Sequence, residues 1–242
     1  MRVTFLGTGS AMPTPDRVQT GLLVEGADPL LVDCGSGVLH RLAGTEVGYE
    51  GVSTVLLTHH HLDHVADLLP LLKARWLADE PRLTVVGPAG TEALVTGLLD
   101  THEYLQDRVD LTVREVGARA FEVAGYAVEG YETRHSMTCL AYRFGDGFAF
   151  SGDTEAFDGL ARFADGVDVL AHDCSFPDGV EAANHPTPTE LGETLAGHDL
   201  DRIYLTHLYP HAAGREAELR EAVAEHVDGE VIVAADGMQV GV

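Results

Sequence analysis

The stretch Thr58-His59-His60-His61-Leu62-Asp63-His64 decides the fold, because it places four potential metal ligands, His59, His61, Asp63 and His64, within six residues. Imidazole and carboxylate groups together suit zinc or a similar divalent ion. We expect His59 and His61 to bind one metal ion while Asp63 and His64 bind its neighbour. The stretch therefore predicts half of a two-metal hydrolytic centre.

The residues on either side of this stretch favour a built metal site. Val52 to Leu57 is an apolar run that predicts a strand, and apolar residues from Val65 to Leu77 lie near helical spacing. Ligands at a strand end and at the next helix start are held rigidly enough to fix coordination. The alternative is a solvated histidine-rich loop, because a chain with 13 histidines will show some clustering by chance.

Length and composition predict one soluble domain. The 242 residues, of which 45% are hydrophobic, contain no Pro/Ser-rich linker, so a single domain over residues 1–242 is expected. The N-terminus lacks a basic region followed by an apolar stretch, and no segment approaches the roughly 18 to 20 apolar residues that span a bilayer. We therefore expect a cytoplasmic protein with no membrane partner. The cysteines lie apart in apolar segments and are expected to be buried free thiols: Cys34, Cys139 and Cys174.

The formal net charge of −24 is unusual, and the 15 cationic residues include a single lysine, Lys73. Such a charge repels itself in dilute salt but is screened in concentrated salt, where the Debye length is about 3 Å at 1 M. This balance favours a salt-accumulating, halophilic cytoplasm; the alternative is an acidic mesophile whose codon usage favours arginine over lysine. The charge also disfavours a broad basic surface for DNA or other nucleic acid.

Short apolar runs and helical segments alternate along the chain. Strands predominate before the histidine stretch and again from Asp110 to Ser151, with Gly and Pro at the turns. Two β-rich blocks, each followed by helices, predict two sheets packed together with helices outside. Five segments are predicted to be helical: Val65 to Leu77, Pro88 to Leu99, Phe157 to Ala164, Pro188 to Ala196 and Gly214 to His226.

The pattern His-x-His-x-Asp-His after an apolar strand resembles the metallo-β-lactamase superfamily. The opening run Phe5-Leu6-Gly7-Thr8-Gly9-Ser10-Ala11-Met12-Pro13 is similar to its ribonuclease Z branch. The resemblance implies an α/β (α+β) fold, a four-layer αββα sandwich of two mixed sheets flanked by helices. The site would lie along the edge where the two halves meet.

Three further ligands are implied by the same resemblance, each after an apolar run. His135 matches the third histidine motif of the family, Asp153 the aspartate that bridges both metals, and His207 the last histidine. The implied first metal takes His59, His61 and His135, and the second takes Asp63, His64 and His207. Taken singly, each of these residues could equally be a loop histidine or a turn aspartate. The ions expected are two divalent metals, zinc first, with manganese or iron also compatible.

Asp33 and Asp63 have implied roles beside the metals. Asp33, in Val32-Asp33-Cys34-Gly35, matches a superfamily aspartate that we expect to orient the ligands through hydrogen bonds. Two divalent ions about 3.5 to 4 Å apart lower the pKa of a shared water toward about 7 and neutralise developing charge, as phosphodiester hydrolysis requires. Asp63 would also help orient the nucleophile.

A proton donor for the leaving group is implied by two more motifs. Asn184-His185-Pro186-Thr187 resembles the motif whose histidine is the general acid of ribonuclease Z, and the segment around Asp173 resembles the motif whose glutamate pairs with it. Asp173 is one methylene shorter than glutamate, so its reach to His185 is open. The alternative is that Asp173 binds loop backbone and His185 caps the following helix.

One family feature is missing. Ribonuclease Z usually carries a long arm for tRNA between the third histidine and the bridging aspartate, but here only 18 positions separate His135 from Asp153. We therefore expect a metal-dependent phosphodiesterase acting on a small cyclic or single-stranded phosphodiester, as a homodimer. The alternatives are tRNA 3′-end processing, hydrolysis of a lactone, thioester or β-lactam, and a non-catalytic metal-dependent binding protein.

Overall fold

Two β-sheets form the centre of the computed structural model, which describes residues 1–12, 14–180 and 183–242. Pro13, the last residue of the N-terminal motif, lies outside the described residues. The strands, in chain order, are β1 (Arg2–Gly7), β2 (Gly21–Glu25), β3 (Leu30–Val32), β4 (Thr54–Leu56), β5 (Arg82–Gly87), β6 (Asp110–Glu115), β7 (Ala120–Val123), β8 (Tyr126–Glu132), β9 (Leu140–Phe144), β10 (Phe148–Phe150), β11 (Val167–Asp173), β12 (Leu200–Thr206), β13 (Glu230–Val233) and β14 (Gln239–Gly241).

Both sheets have seven strands and share one layout. The first runs β14-β1-β2-β3-β4-β5-β6, and the second runs β13-β12-β11-β10-β9-β8-β7. In each, the first four strands from one edge pair antiparallel and the pairs beyond the fourth strand are parallel. The two mixed sheets confirm the fold class that the two β-rich blocks predict.

Helices cover the outer face of each sheet. They are α1 (Val38–Leu42), α2 (Leu62–Val65), α3 (Leu68–Leu77), α4 (Thr91–Thr101), α5 (Asp158–Ala164), α6 (Pro188–Leu195) and α7 (Glu216–Ala224). Apolar side chains of α1, α3 and α4 pack on the first sheet, and those of α5, α6 and α7 on the second. The result is a four-layer αββα sandwich. Among the described residues, no helix has the length and apolar character needed to cross a membrane.

The main core lies between the two sheets. Phe5 and Leu22 of the first sheet and Tyr142, Phe148 and Tyr204 of the second belong to one buried cluster. The rings of Phe5 and Tyr204 meet across the layers with centroids 5.5 Å apart. Each such side chain contributes about 1.5–3 kcal/mol by leaving water, so this cluster holds the two sheets together. All three cysteines are buried free thiols, as predicted.

The loops after β3, β4, β8, β10, β11 and β12 meet at one edge of the sandwich, and this edge carries the candidate site. Strands β9 and β10, between His135 and Asp153, form an antiparallel hairpin with Gly145–Gly147 as its turn. The short interval between His135 and Asp153 therefore forms a hairpin and contains no arm.

The prediction of one helix from Val65 to Leu77 is wrong. Helix α2 begins within the metal motif, at Leu62, and ends at Val65; α3 starts only at Leu68. At the break, the carboxylate of Asp67 accepts hydrogen bonds from the N–H groups of Gly37 and Leu39, 2.9 and 3.0 Å away. Pro70 also lacks an N–H and is tolerated only in a first helical turn, which favours a new helix start just before it. The same contacts begin α1, a helix that the sequence pattern missed.

Candidate metal centre

Among the described residues, three groups of potential ligand atoms lie at the site edge, with the atoms of each group within 4.8 Å of one another. One of them, Asp173, His185 and His207, contains the candidate proton donor; the other two are the candidate metal-binding groups. All seven predicted metal-ligand residues belong to these groups, and Asp153 belongs to both. The first group is His59, His61, His135 and Asp153; the second is Asp63, His64, Asp153 and His207.

The first group consists of three histidine nitrogens in contact with one another beside Asp153. Nδ1 of His61 lies 3.0 Å from Nε2 of His59 and 3.1 Å from Nε2 of His135. Oδ2 of Asp153 is 3.6 Å from His59 Nε2 and 3.8 Å from His135 Nε2. Three imidazoles and a carboxylate facing one another are a donor set suited to zinc or a similar divalent ion.

The second group lies on the other side of Asp153. Nε2 of His207 is 3.2 Å from Oδ2 of Asp63 and 3.3 Å from Oδ2 of Asp153. Nε2 of His64 is 3.2 Å from Oδ1 of Asp153 and 3.7 Å from Oδ2 of Asp63. The carboxylate of Asp153 thus offers one oxygen to His64 and the other to both groups, the placement expected of a bridging ligand.

Hydrogen bonds hold the outer nitrogens of His59 and His64, so the inner nitrogens are directed at the centre. Oδ2 of Asp33 accepts hydrogen bonds from Nδ1 of His64 at 2.7 Å and from the Thr58 hydroxyl at 2.8 Å. That hydroxyl lies 3.0 Å from Nδ1 of His59; because it donates to Asp33, it accepts from His59. Both histidines therefore carry a proton on Nδ1, and Nε2 is the nitrogen of each ring that faces the centre.

One buried atom lacks a partner that a metal ion would supply. Among the described residues, four buried side-chain atoms make no hydrogen bond, and Nε2 of His64 is the one that belongs to a ligand group. An unpaired buried polar atom costs about 1–3 kcal/mol, and such atoms are rare in folded proteins. The residues present therefore fit a divalent ion at the second group. Asp33 holds His64 as the sequence predicted.

The charges around the centre favour ionised carboxylates. Burial raises the pKa of Asp153, but the neighbouring His207, His64 and His59 outweigh it and hold that pKa well below its usual range. Burial likewise opposes ionisation of Asp63, yet the hydrogen bond from His207 and the charge of His64 bring its pKa below the usual value. Carboxylates that stay ionised are ready to bind a cation.

The candidate proton donor lies beside both groups. Nδ1 of His185 is 2.7 Å from Oδ2 of Asp173, so the shorter aspartate does reach the histidine. The ring of His185 stacks on that of His207, with centroids 5.2 Å apart, and is 5.3 Å from the ring of His135. Burial lowers the pKa of His185, but the charge and hydrogen bond of Asp173 outweigh it and raise the pKa to about 9. The alternative role for His185, capping the next helix, is wrong: Thr187 is the N-cap of α6.

Residues that the sequence reading did not single out also touch the site. The hydroxyl of Ser175 lies 2.6 Å from Asp173 and 2.9 Å from His207. Phe176 and Tyr209 stack with centroids 4.4 Å apart. Their ring centroids lie 6.1 and 5.9 Å from that of His185. Ser175 and Phe176 follow Asp173 directly in the motif, and Tyr209 follows His207 by two positions; proximity in sequence to predicted site residues was the available signal.

The remaining histidines lie outside the two groups, as expected. His172 is buried and its Nδ1 lies 2.7 Å from the Asp173 carbonyl, while His60 is half-buried against the Thr91 hydroxyl. His40 and His211 are exposed. The Gly-Thr-Gly-Ser turn borders the site, because the Thr8 carbonyl accepts a hydrogen bond from Leu208, next to His207.

Comparison with known proteins gives a family and several relatives. The family described as "Anti-Pycsar protein Apyc1" matches residues 1–223. Ribonuclease Z of Mycobacterium bovis (strain BCG / Pasteur 1173P2) is 32% identical over an alignment of 269 residues that covers 98% of this chain and 96% of that protein. The metallo-β-lactamase fold protein YhfI from Bacillus subtilis superposes with a TM-score of 0.85 and 26% identity, covering 99% of this chain and 98% of that one. The short form of human tRNase Z has the same fold, with a TM-score of 0.78, 20% identity and coverage of 100% and 99%.

A four-layer sandwich with His/Asp clusters that fit a divalent metal at this edge, together with these relatives, defines a metal-dependent hydrolase of the metallo-β-lactamase superfamily. The resemblance noted in the sequence is thereby confirmed. Within that superfamily, the chain belongs to the family described as Anti-Pycsar protein Apyc1, in the ribonuclease Z-like branch.

Proposed function

We propose that this hydrolase cleaves a phosphodiester bond in a small cyclic or single-stranded substrate, using two divalent ions, zinc first. The main support for this function is the His185–Asp173 pair, in which Nδ1 and Oδ2 are 2.7 Å apart. The ring of His185 lies against His135 of the first ligand group and His207 of the second. A proton donor at this place suits a reaction in which an alkoxide leaves. A protein that only binds a metal needs no such donor.

The ligand assignment is part of the proposal. His59, His61 and His135 hold the first ion, Asp63, His64 and His207 hold the second, and Asp153 bridges them, which the interatomic distances support. When bound, two such ions activate a water at neutral pH and neutralise the charge that develops on a phosphoryl group.

The side chains of the chain do the remaining work. Asp63 accepts a hydrogen bond from the attacking water, and so keeps it directed at phosphorus. His185 holds its proton on Nε2, because Nδ1 already donates to Asp173, and gives that proton to the departing oxygen. Asp173 fixes the ring of His185 and stabilises its protonated form.

A small or single-stranded substrate is favoured because no arm lies between His135 and Asp153. The hairpin β9–β10 occupies the interval between His135 and Asp153. The alignment with the mycobacterial ribonuclease Z is 269 residues long, more than the 242 residues of this chain, so that relative has segments which this chain lacks. The net charge of −24 also works against a broad contact with RNA.

A second candidate is tRNA 3′-end processing. It is favoured by the ribonuclease Z relatives, which match this chain over nearly its whole length.

The homodimer, the cytoplasmic location and the halophilic origin expected from the sequence stay predictions.

A substrate panel tests the proposal. The metal-loaded protein, assayed in high salt, is offered bis-p-nitrophenyl phosphate, 2′,3′-cyclic nucleotides, precursor tRNA and a set of lactones. We expect turnover of the two small phosphodiester classes, with a higher kcat/KM than for precursor tRNA. A preference for precursor tRNA would instead support the second candidate. Cleavage of lactones with no phosphodiester cleaved would overturn both.

A further inference from the structure

One buried hydroxyl connects the candidate proton donor to the metal ligands. Oγ of Ser175 lies 2.6 Å from Oδ1 of Asp173 and 2.9 Å from Nδ1 of His207. Ser175 and Asp173 are fully buried, and only 2% of His207 is exposed, so water cannot replace these contacts. The other carboxylate oxygen of Asp173 accepts the hydrogen bond from His185.

The direction of these hydrogen bonds follows from the number of protons. A serine hydroxyl has one hydrogen, and the acceptors within reach are the Asp173 carboxylate at 2.6 Å and the His207 carbonyl at 3.1 Å. A bond to a carboxylate is shorter and roughly twice as strong as one between neutral groups, so the hydroxyl donates to Asp173. Its lone pairs then accept from Nδ1–H of His207, so Nε2 is the nitrogen of His207 that remains to face the metal ligands.

That nitrogen points into the second ligand group. Nε2 of His207 is 3.2 Å from Oδ2 of Asp63 and 3.3 Å from Oδ2 of Asp153. The Ser175 hydroxyl therefore selects the tautomer of His207 that can bind an ion. At the same time it bonds Oδ1 of Asp173, while Oδ2 accepts from His185 and from the Thr154 N–H.

The backbone around Ser175 holds the hydroxyl in place. The loops after β11 and β12 run side by side: Cys174 N–H donates to the Thr206 carbonyl and Tyr209 N–H to the Ser175 carbonyl, each at 3.1 Å. His207 itself has a left-handed backbone, with φ 59°, that few non-glycine residues adopt. Ser175 thus bonds a proposed ligand, His207, whose backbone has a conformation that histidine rarely adopts.

A matching arrangement exists in the first half of the chain. There, Asp33 accepts directly from His64 and also from the Thr58 hydroxyl, which in turn lies 3.0 Å from Nδ1 of His59. Each half therefore has one buried aspartate that holds one histidine directly and a second through a hydroxyl. In the first half both histidines face the metal groups; in the second half one of them is His185.

We propose that Ser175 is a positioning residue which couples the proton donor to the second metal group. By bonding His207 and Asp173 at once, it orients a metal ligand and, through Asp173, the ring of His185. Its effect on His185 rests on the function proposed above, but its effect on metal binding does not. Loss of the hydroxyl should thus weaken two properties that an ordinary buried serine would leave unchanged.

The test uses Ser175→Ala, with Ser175→Thr as the variant that keeps the hydroxyl. Ser151→Ala is the matched control, because Ser151 is also buried and also bonds Asp173, but through the backbone N–H at 2.9 Å. The zinc affinity of each apoprotein is measured by competition with a chromophoric chelator. The kcat of each zinc-loaded protein is then measured on phosphodiesters with p-nitrophenol and with an alkyl alcohol as leaving group. The melting temperature reports any general loss of folding.

Ser175→Ala should bind the weaker of its two zinc ions about 10–100-fold less tightly, the range found when a residue that orients a metal ligand is lost. It should also lose about tenfold more kcat on the alkyl ester than on the p-nitrophenyl ester, a part of the 10²–10⁴ that a positioned acid supplies. Ser175→Thr should recover both properties.

Equal zinc affinity in Ser175→Ala and Ser151→Ala, at similar melting temperatures, would overturn the proposal. A loss of zinc affinity with an unchanged leaving-group dependence would remove the coupling to His185. If no phosphodiester is cleaved by any variant while the zinc effect persists, the proposed function fails and the role of Ser175 toward the metal stands.

Discussion

Backbone strain is concentrated at the candidate site. Among the described residues, five non-glycine residues have a positive φ, and three of them are Asp33, Asn184 and His207. Asp33 orients His64, Asn184 precedes His185, and His207 is a proposed ligand. Such conformations cost of order 1–3 kcal/mol each and persist where the surroundings hold them. The spacing of the histidines predicted which residues would be ligands, but it gave no sign of this strain.

The site residues that the sequence motifs did not predict are held by contacts between positions far apart in the chain. Ser175 and His207 are 32 positions apart and meet only because β11 and β12 are parallel neighbours. A side chain whose role depends on such a pairing carries no local signal. Asp33 was predicted because it lies in a motif, whereas the Thr58 hydroxyl that bonds it was not.

Replacement of His185 tests its proposed role as the general acid. His185→Ala should reduce kcat by about 10²–10⁴ on phosphodiesters with an alkyl leaving group, the range for a positioned general acid. The loss should be much smaller on p-nitrophenyl esters, because nitrophenolate leaves without a proton. Steady-state kcat on both esters gives the ratio. His40→Ala, an exposed histidine outside the site, is the control. Equal losses on both esters would remove His185 from the acid role.

At the scale of elements, the metal motif is fixed by a close approach of two loops. The loop after β3 and helix α2 are joined by a hydrogen bond from Cys34 N–H to the His64 carbonyl at 2.7 Å. A Cβ on Gly35 would lie 2.0 Å from the Asp63 carbonyl oxygen and 2.8 Å from Cβ of Gln19. The strand and the metal loop were predictable from the apolar run and the ligands. The end of α2 was not, because it depends on Asp67 bonding the start of α1.

Gly35→Ala should therefore displace the Asp63 peptide group. We expect destabilisation of about 1–3 kcal/mol, typical of overpacking, together with weaker binding of one of two zinc ions. Thermal unfolding and chelator competition measure the two effects. Gly97→Ala, within α4 where a Cβ meets nothing within 4 Å, is the matched control and should be neutral or slightly stabilising. A Gly35→Ala protein with unchanged stability and zinc affinity would show that the two loops are not tightly coupled.

The whole molecule combines a familiar sandwich with an extreme charge. Alternation of β-rich and helical segments was enough to predict two sheets with helices outside, since apolar faces must be covered. The identical layout of the two sheets could not be read from the sequence, because it lies in the order of pairing between strands distant in the chain. The charge of −24 leaves no signature in the fold; its effect is on stability.

Salt should raise the stability of the molecule. In about 0.01 M salt the Debye length is about 30 Å and like charges repel across the whole domain, whereas at about 1 M it falls to about 3 Å. The melting temperature is expected to rise from low salt to molar KCl. Both scans are made with saturating zinc, so that metal affinity does not contribute to the difference. Equal melting temperatures would argue against adaptation to a salt-rich cytoplasm.

The central claim is that two metal ions, held by the seven residues at the sandwich edge, are needed to cleave a phosphodiester. The most direct measurement is a zinc titration of the chelator-treated protein, followed by hydrolysis of bis-p-nitrophenyl phosphate. We expect no activity without zinc and a rise that reaches its plateau at two equivalents per chain, as the two ligand groups around Asp153 require. Full activity in the chelated protein, or a plateau at one equivalent, would contradict this account.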